Sequence, residues 1–150
     1  MNTDEMLLSE LFRPKSIDDL HLTKKDHNFL KSMSKNKKNI KNLLFFGAPG
    51  IGKTSAARIL IDDMDMSAMT LDARSLRGKN SIKNVMEDFF SAVSFDGNYK
   101  TVILNEADAL KTSDQTYLLD AIERFANNGR FILTANNMTR IIVPLKSRLT

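Results

Sequence analysis

Leu43-Leu44-Phe45-Phe46-Gly47-Ala48-Pro49-Gly50-Ile51-Gly52-Lys53-Thr54-Ser55 reads as a buried strand, a glycine-rich turn and the start of a helix. Four consecutive apolar residues suit a central strand of a parallel sheet covered on both faces. Glycines at 47, 50 and 52 let the backbone enter conformations that other residues avoid. In that shape the loop's N–H groups converge on an anion, and the following helix adds its positive N-terminal end. The pattern is a P-loop: Gly47, Ala48, Pro49, Gly50, Ile51, Gly52 and Ser55 form the cradle and its exit. Lys53 is expected to reach the β- and γ-phosphates and the Thr54 hydroxyl to ligate Mg²⁺.

Outward from this stretch, strands and helices alternate, which predicts an α/β fold with a parallel sheet. Ala68–Asp72 reads as a second strand, Tyr99–Leu104 as a third and Phe131–Ala135 as a fourth. Ile82, Val85, Met86, Phe89, Phe90 and Val93 recur at helical spacing. Thr112-Ser-Asp-Gln115 has the spacing of a capping box, opening a helix that turns Leu118, Ala121, Ile122 and Phe125 inward. Asn127-Asn128-Gly129 is expected to end it, with glycine in a left-handed cap. A helix is also expected over Thr23–Lys35, a polar loop over 35–42, a turn at Asp96-Gly97-Asn98, and a short helical piece from Thr139 to Val143, meeting Pro144. The organisation reads as residues 1–22, an N-terminal extension, followed by a nucleotide-binding core over 23–150.

Totals narrow the function classes. At 150 residues, 42% hydrophobic and 27% charged, the chain fits one ordinary globular domain. It has no cysteine, so disulfides and thiol chemistry are excluded. The acidic N-terminus lacks the basic start and apolar core of a signal peptide, and no apolar run approaches a membrane span. A net charge of +4 permits contact with a polyanion without requiring it.

Hydrolysis needs a group that takes a proton from water. Glu106 lies just past the third strand, where ligand sites form in open α/β sheets, and is the candidate base. Asn105 stands where an aspartate helps to hold Mg²⁺. It keeps an acceptor oxygen and lacks the charge. Asn136, at the end of a fourth strand expected beside the first, is placed to touch the γ-phosphate or the attacking water. The absence of an Asn-Lys-x-Asp pattern points to ATP over GTP.

Together these pieces resemble the AAA+ ATPase subunits of sliding-clamp loaders, above all replication factor C small subunits and their T-even-type phage counterparts. Phe12-Arg13-Pro14-Lys15-Ser16 is similar to the family's Tyr-Arg-Pro-Lys-Thr box. Asn105-Glu106-Ala107-Asp108 resembles its Walker B Asp-Glu-Ala-Asp, Thr134-Ala135-Asn136-Asn137 its sensor-1 strand end, and Pro144-Leu-Lys-Ser-Arg148-Leu149 its Pro-Ile-Gln-Ser-Arg-Cys motif. Ser94-Phe-Asp-Gly97 is similar to the phage branch.

The resemblance implies a P-loop NTPase core with a parallel sheet flanked by helices. It also implies a sensor role for Asn136, an arginine finger acting in trans from Arg148, Arg13 near the adenine, and DNA-phosphate contacts from Arg77 and Lys79. The partners it implies are other clamp-loader subunits in a hetero-oligomeric ring, a sliding clamp and primer-template DNA, in the cytoplasm (a host's, if phage-encoded), with no membrane. Family members continue past the Ser-Arg motif with a last core strand, a helical lid and a collar, none of which is in these 150 residues. An exposed edge beside the P-loop strand is therefore expected. Three readings stay open: an ATP-hydrolysing subunit, a non-hydrolysing assembly subunit of the same machine, and another AAA+ replication ATPase such as a helicase loader. The Arg-Pro-Lys box and the Ser-Arg motif argue against the last.

Overall fold

The computed structural model describes residues 8, 10–92 and 97–150. Val93 and most of Ser94–Gly97 therefore lie outside the described residues. Four parallel strands form one sheet in the order β1-β4-β3-β2. They are β1 (Leu43–Phe46), β2 (Ala68–Asp72), β3 (Lys100–Asn105) and β4 (Gly129–Ala135). The helices are α1 (Lys24–Ser34), α2 (Lys53–Asp63), α3 (Ile82–Ser91), α4 (Thr112–Arg124) and α5 (Val143–Ser147).

Period-two alternation splits the core between the two faces of the sheet. Val102 and Leu104 of β3 join Phe131, Leu133 and Ala135 of β4 against Met86, Phe90, Leu118 and Ala121 from α3 and α4. Ile103 and Ile132 point the other way, into a cluster with Leu30, Met33, Ala57 and Leu60 from α1 and α2. Ile17, 1% exposed, completes that second layer. Its short turn (Ile17–Asp19) is fastened to α1 by Asp18, which accepts from Lys31 Nζ at 2.6 Å and lies 2.8 Å from His27 Nε2. The Lys31 hydrogen bond, with His27 second, holds the pKa of the Asp18 carboxyl below the usual carboxylate range.

β1 is an edge strand, as the resemblance implied and against the central position its composition suggested: in the sheet order only β4 flanks it, and Phe46 is 62% exposed. Its free side is partly used. Leu44 N–H donates to Thr150 O at 3.0 Å, and Thr150 N–H donates to Asn42 O at 2.9 Å, the pattern of a parallel ladder.

Three local expectations fail, two of them for tertiary reasons. The capping box does not form: Lys111 is the N-cap of α4, without a side-chain cap. Gln115 is 1% exposed and its amide serves the core instead. It donates to Leu110 O and Arg140 O at 3.2 and 2.8 Å and accepts from Ile142 N–H at 2.9 Å. Gly129 is the first residue of β4 and is not among the positive-φ glycines. A Cβ there would lie 2.7 Å from Phe90 Cε1, so close packing requires the glycine. Pro144 sits inside the first turn of α5, where its missing N–H costs nothing. The short piece before it is Met138–Arg140. The third strand also runs one residue further than expected, through Asn105.

Candidate functional site

The chain reverses at the C-terminal ends of β1, β3 and β4, and every strand-end residue singled out above arrives there. The P-loop begins where Gly47 N–H donates to Ala135 O at 3.2 Å, which ties it to the end of β4. Gly47, Gly50 and Gly52 have φ of 150°, 81° and 92°, a range that L residues rarely adopt. A Cβ on Gly47 would come within 2.3 Å of Ile51 Cδ1. Cβ atoms on Gly50 and Gly52 would meet nothing within 4 Å, so at those two positions conformation alone demands glycine. Gly52 caps the 11-residue α2, whose first turn leaves backbone N–H groups facing the loop. Ala48, Pro49 and Ile51 form the exposed crest, while Lys53, Thr54 and Ser55 are half-buried. Lys53 Nζ donates to Gly47 O at 2.9 Å and Ala48 O at 2.7 Å. Its charge is thus inside the loop, on acceptors that phosphate oxygens outmatch.

Asn105 faces the start of α2. Its Oδ1 accepts the Thr54 hydroxyl at 3.1 Å and the Thr134 hydroxyl at 3.3 Å. The Thr54–Asn105 contact puts the two expected Mg²⁺-side residues together. Among the described residues no group of three His, Cys, Asp or Glu could hold a metal ion. A cation here would be held by one hydroxyl, one amide oxygen and the ligand's own phosphates, a hard oxygen set that suits Mg²⁺. The loop geometry and the α2 N-terminus likewise fit a phosphate chain.

Glu106 has φ 56° and ψ 46°, the left-handed region, which costs a residue with a Cβ about 1–2 kcal/mol. Its backbone N–H donates to Thr134 Oγ1 at 3.1 Å. Its carboxylate pairs with Arg74 Nε at 2.9 Å. The same guanidinium grips Asp72 through Nε at 3.2 Å and Nη2 at 2.9 Å. The Arg74 hydrogen bonds keep the Asp72 carboxyl ionised below the usual range. Nothing in the local sequence pointed to Arg74; it reaches Glu106 because β2 and β3 pair with Asp72 opposite Asn105.

Asn136 is exposed. Its backbone N–H and that of Asn137 donate to Asp108 Oδ2 at 3.3 and 3.0 Å. Arg148, at the end of α5, is exposed and pairs with Glu123 at 2.6 Å, away from the P-loop. Arg77 and Lys79 are exposed beside Gly78 (φ 58°). Arg77 borders a cleft of about 660 Å³ that it shares with Arg74, Ser81, Lys111 and Asp114. A second cleft, about 690 Å³, opens on the other side of the P-loop, between Leu20, Leu22 and Phe29 and the loop residues Ile51, Gly52 and Lys53. Arg13 is exposed and is not part of that wall.

Comparison with known proteins bears on the family and the fold. Residues 43–150 match the family described as "ATPase family associated with various cellular activities (AAA)". The chain is 36% identical over 151 residues to the replication factor C small subunit of Saccharolobus solfataricus, covering 97% of the chain and 46% of that protein. It is 32% identical over 149 residues to the sliding-clamp-loader large subunit of Enterobacteria phage T4, covering 99% and 46%. The chain thus spans about half the length of the curated relatives it matches. Among solved structures, the Thermotoga maritima RuvB Holliday junction branch migration motor superposes with a TM-score of 0.69 at 21% identity, covering 92% of this chain and 46% of that one. At that identity the likeness is one of fold.

Proposed function

The chain belongs to the AAA family of ATPases, and from that premise we propose that it is the nucleotide-binding core of a DNA sliding-clamp loader subunit, which binds ATP and, once assembled, hydrolyses it. The observation that carries this reading is the hydrogen bond from Thr54 to Asn105. It brings the phosphate loop and the strand end bearing Glu106 into one site. Relatives that are replication factor C small subunits and phage clamp-loader subunits support the biological setting.

In this reading the backbone N–H groups of Gly50, Gly52 and the first turn of α2 hold the phosphates. Lys53 exchanges its bonds to Gly47 O and Ala48 O for the β- and γ-phosphate oxygens. Thr54 and Asn105 would hold Mg²⁺, which when bound would offset charge on those phosphates. Glu106 releases Arg74, accepts a proton from water and so aims the water oxygen at the γ-phosphorus. As the bond from that oxygen to the γ-phosphorus forms, the bond from phosphorus to the bridging oxygen breaks; ADP and inorganic phosphate depart, and Glu106 returns its proton to solvent. Asn136 holds the water or the γ-phosphate. The apolar cleft bounded by Leu20, Leu22 and Phe29 receives the base. Arg148 serves the nucleotide of a neighbouring subunit, and Arg77 and Lys79 contact DNA phosphates.

Steady-state ATP turnover tests the assignment. Mixed with cognate subunits, clamp and primer-template DNA, the chain should turn over ATP several-fold faster than without clamp and DNA. A rate indifferent to both contradicts a clamp-loading role. Arg148→Ala subunits mixed with intact ones should depress turnover below the intact fraction, because a finger acts on its neighbour's site. Proportional loss removes the trans role.

A second reading, a non-hydrolysing assembly subunit, is favoured by Asn105, whose neutral oxygen already accepts two hydroxyls. Asn105→Asp adds the charge that favours the cation and should raise Mg²⁺-dependent turnover severalfold. An unchanged rate shows that the missing charge does not limit this site.

A further inference from the structure

We infer that Thr134 and Asp108 are positioning residues that lock Glu106 and Asn136 into one unit across the ends of β3 and β4. The inference rests on the proposed hydrolytic role of Glu106 and assigns parts to two side chains that the chemistry itself does not use.

The two segments are stitched in opposite directions. Glu106 N–H, from the turn after β3, donates to Thr134 Oγ1 on β4 at 3.1 Å. Asn136 and Asn137 N–H, from the turn after β4, donate back to Asp108 Oδ2 at 3.3 and 3.0 Å. The end of β4 thus supplies the acceptor for the turn after β3, and that turn supplies the acceptor for the turn after β4. The register that pairs Leu104 with Leu133 brings them side by side. Thr134 is 2% exposed and Asp108 9%, so both acceptors are held in place by the packing around them.

Thr134 adds a second connection. A hydroxyl has one proton to give and lone pairs to receive. Here the proton goes to Asn105 Oδ1 at 3.3 Å while a lone pair takes Glu106 N–H. Asn105 Oδ1 also accepts from Thr54. A continuous hydrogen-bonded path therefore runs from the first turn of α2 through Asn105 and Thr134 to the backbone of Glu106.

Glu106 needs that support because its left-handed backbone (φ 56°) persists only where the surroundings over-determine it. Freed of Thr134, the residue relaxes toward an ordinary conformation and its carboxylate swings with it. A misplacement of roughly 1 Å costs about 100-fold in rate, while the P-loop that binds phosphate is untouched. Turnover and affinity should therefore separate.

Amide hydrogen exchange and steady-state kinetics on the full chain test this. Thr134→Val keeps the shape and loses the hydroxyl. It should speed exchange of the Glu106 amide at least about tenfold and, in the assembled ATPase, lower kcat about 100-fold with ATP affinity held within about threefold. Thr134→Ser keeps the hydroxyl and should restore slow exchange and most of kcat. Asp108→Ala should speed exchange at Asn136 and Asn137. If Thr134→Val does not fold, Thr134→Ala carries the same comparison. Unchanged exchange at Glu106 overturns the stitch whether or not the chain hydrolyses ATP, and an intact kcat with raised exchange overturns the positioning role. The hydrolytic reading fails separately, if Glu106→Gln turns over ATP as fast as the unaltered chain.

Discussion

Glu106→Gln is expected to abolish measurable ATP turnover in the assembled complex while leaving ATP binding intact. Glutamine has almost the same shape, so the backbone bond to Thr134 and the left-handed turn persist. What disappears is the carboxylate that accepts a proton, a contribution of about 10²–10⁴-fold in rate. The substitution also weakens the ion pair with Arg74. Arg74 lies outside the P-loop, so that loss should not lower ATP affinity. Pre-steady-state phosphate release and an equilibrium ATP titration, run on the same preparation, separate the two effects. Retained turnover removes Glu106 from the chemistry, whereas lost binding shows that it holds the fold of the site.

Lys53→Ala is expected to act one step earlier, on binding. A hydrogen bond to a charged group contributes about 1.5–3 kcal/mol. With one amine serving two phosphates, the Kd for ATP should rise on the order of 100-fold or more. The side chain also bridges Gly47 O and Ala48 O, so alanine loosens the loop that presents the N–H groups. The far-UV spectrum should not change, because the buried face of α2 is formed by Ala56, Ala57, Ile59, Leu60 and Ile61, not by Lys53. Calorimetric titration checks the affinity. A Kd within threefold of the unaltered chain places the phosphates elsewhere.

The two substitutions probe residues that were legible for the same reason. A P-loop needs glycine where φ is positive and lysine at a fixed offset, and both are local demands written consecutively between 47 and 54. Asn105, Glu106 and Asn136 were legible because they end apolar runs, and strand ends are where parallel sheets gather ligands. The residues that hold them were not. Arg74 meets Glu106, Thr134 meets Asn105 and Asp108 meets Asn136 only through the strand order β1-β4-β3-β2 and its register. No local period encodes that order. Thr134 and Asp108 stood inside recognised motifs, but their partners lie 28 or 29 positions away in the chain.

The fold shows the same division. Helix and strand periods located every strand, while Gln115, Gly129 and Pro144 were misread. At Gln115 and Gly129 the local rule is sound and a neighbour overrides it, while Pro144 follows a local rule of its own, the tolerance of a helix's first turn for proline. Gln115 is drawn into the core by unpaired carbonyls, Gly129 is required by the ring of Phe90, and Pro144 is accepted by a helix that begins before it. Likewise the Leu43–Phe46 run reads as central on composition alone, whereas the resemblance, which implies a missing last strand, placed it at the edge where the strand order has it.

One measurement tests the central claim most directly, that the P-loop, the Asn105–Glu106 turn and the Asn136 turn form a single ATP site. The backbone amides of Gly50, Gly52, Lys53, Glu106 and Asn136 would be followed by NMR as ATP and Mg²⁺ are added to the chain. Signals from all three segments should move along one binding curve with one Kd. Movement confined to the P-loop, or separate curves for the three segments, contradicts a single site.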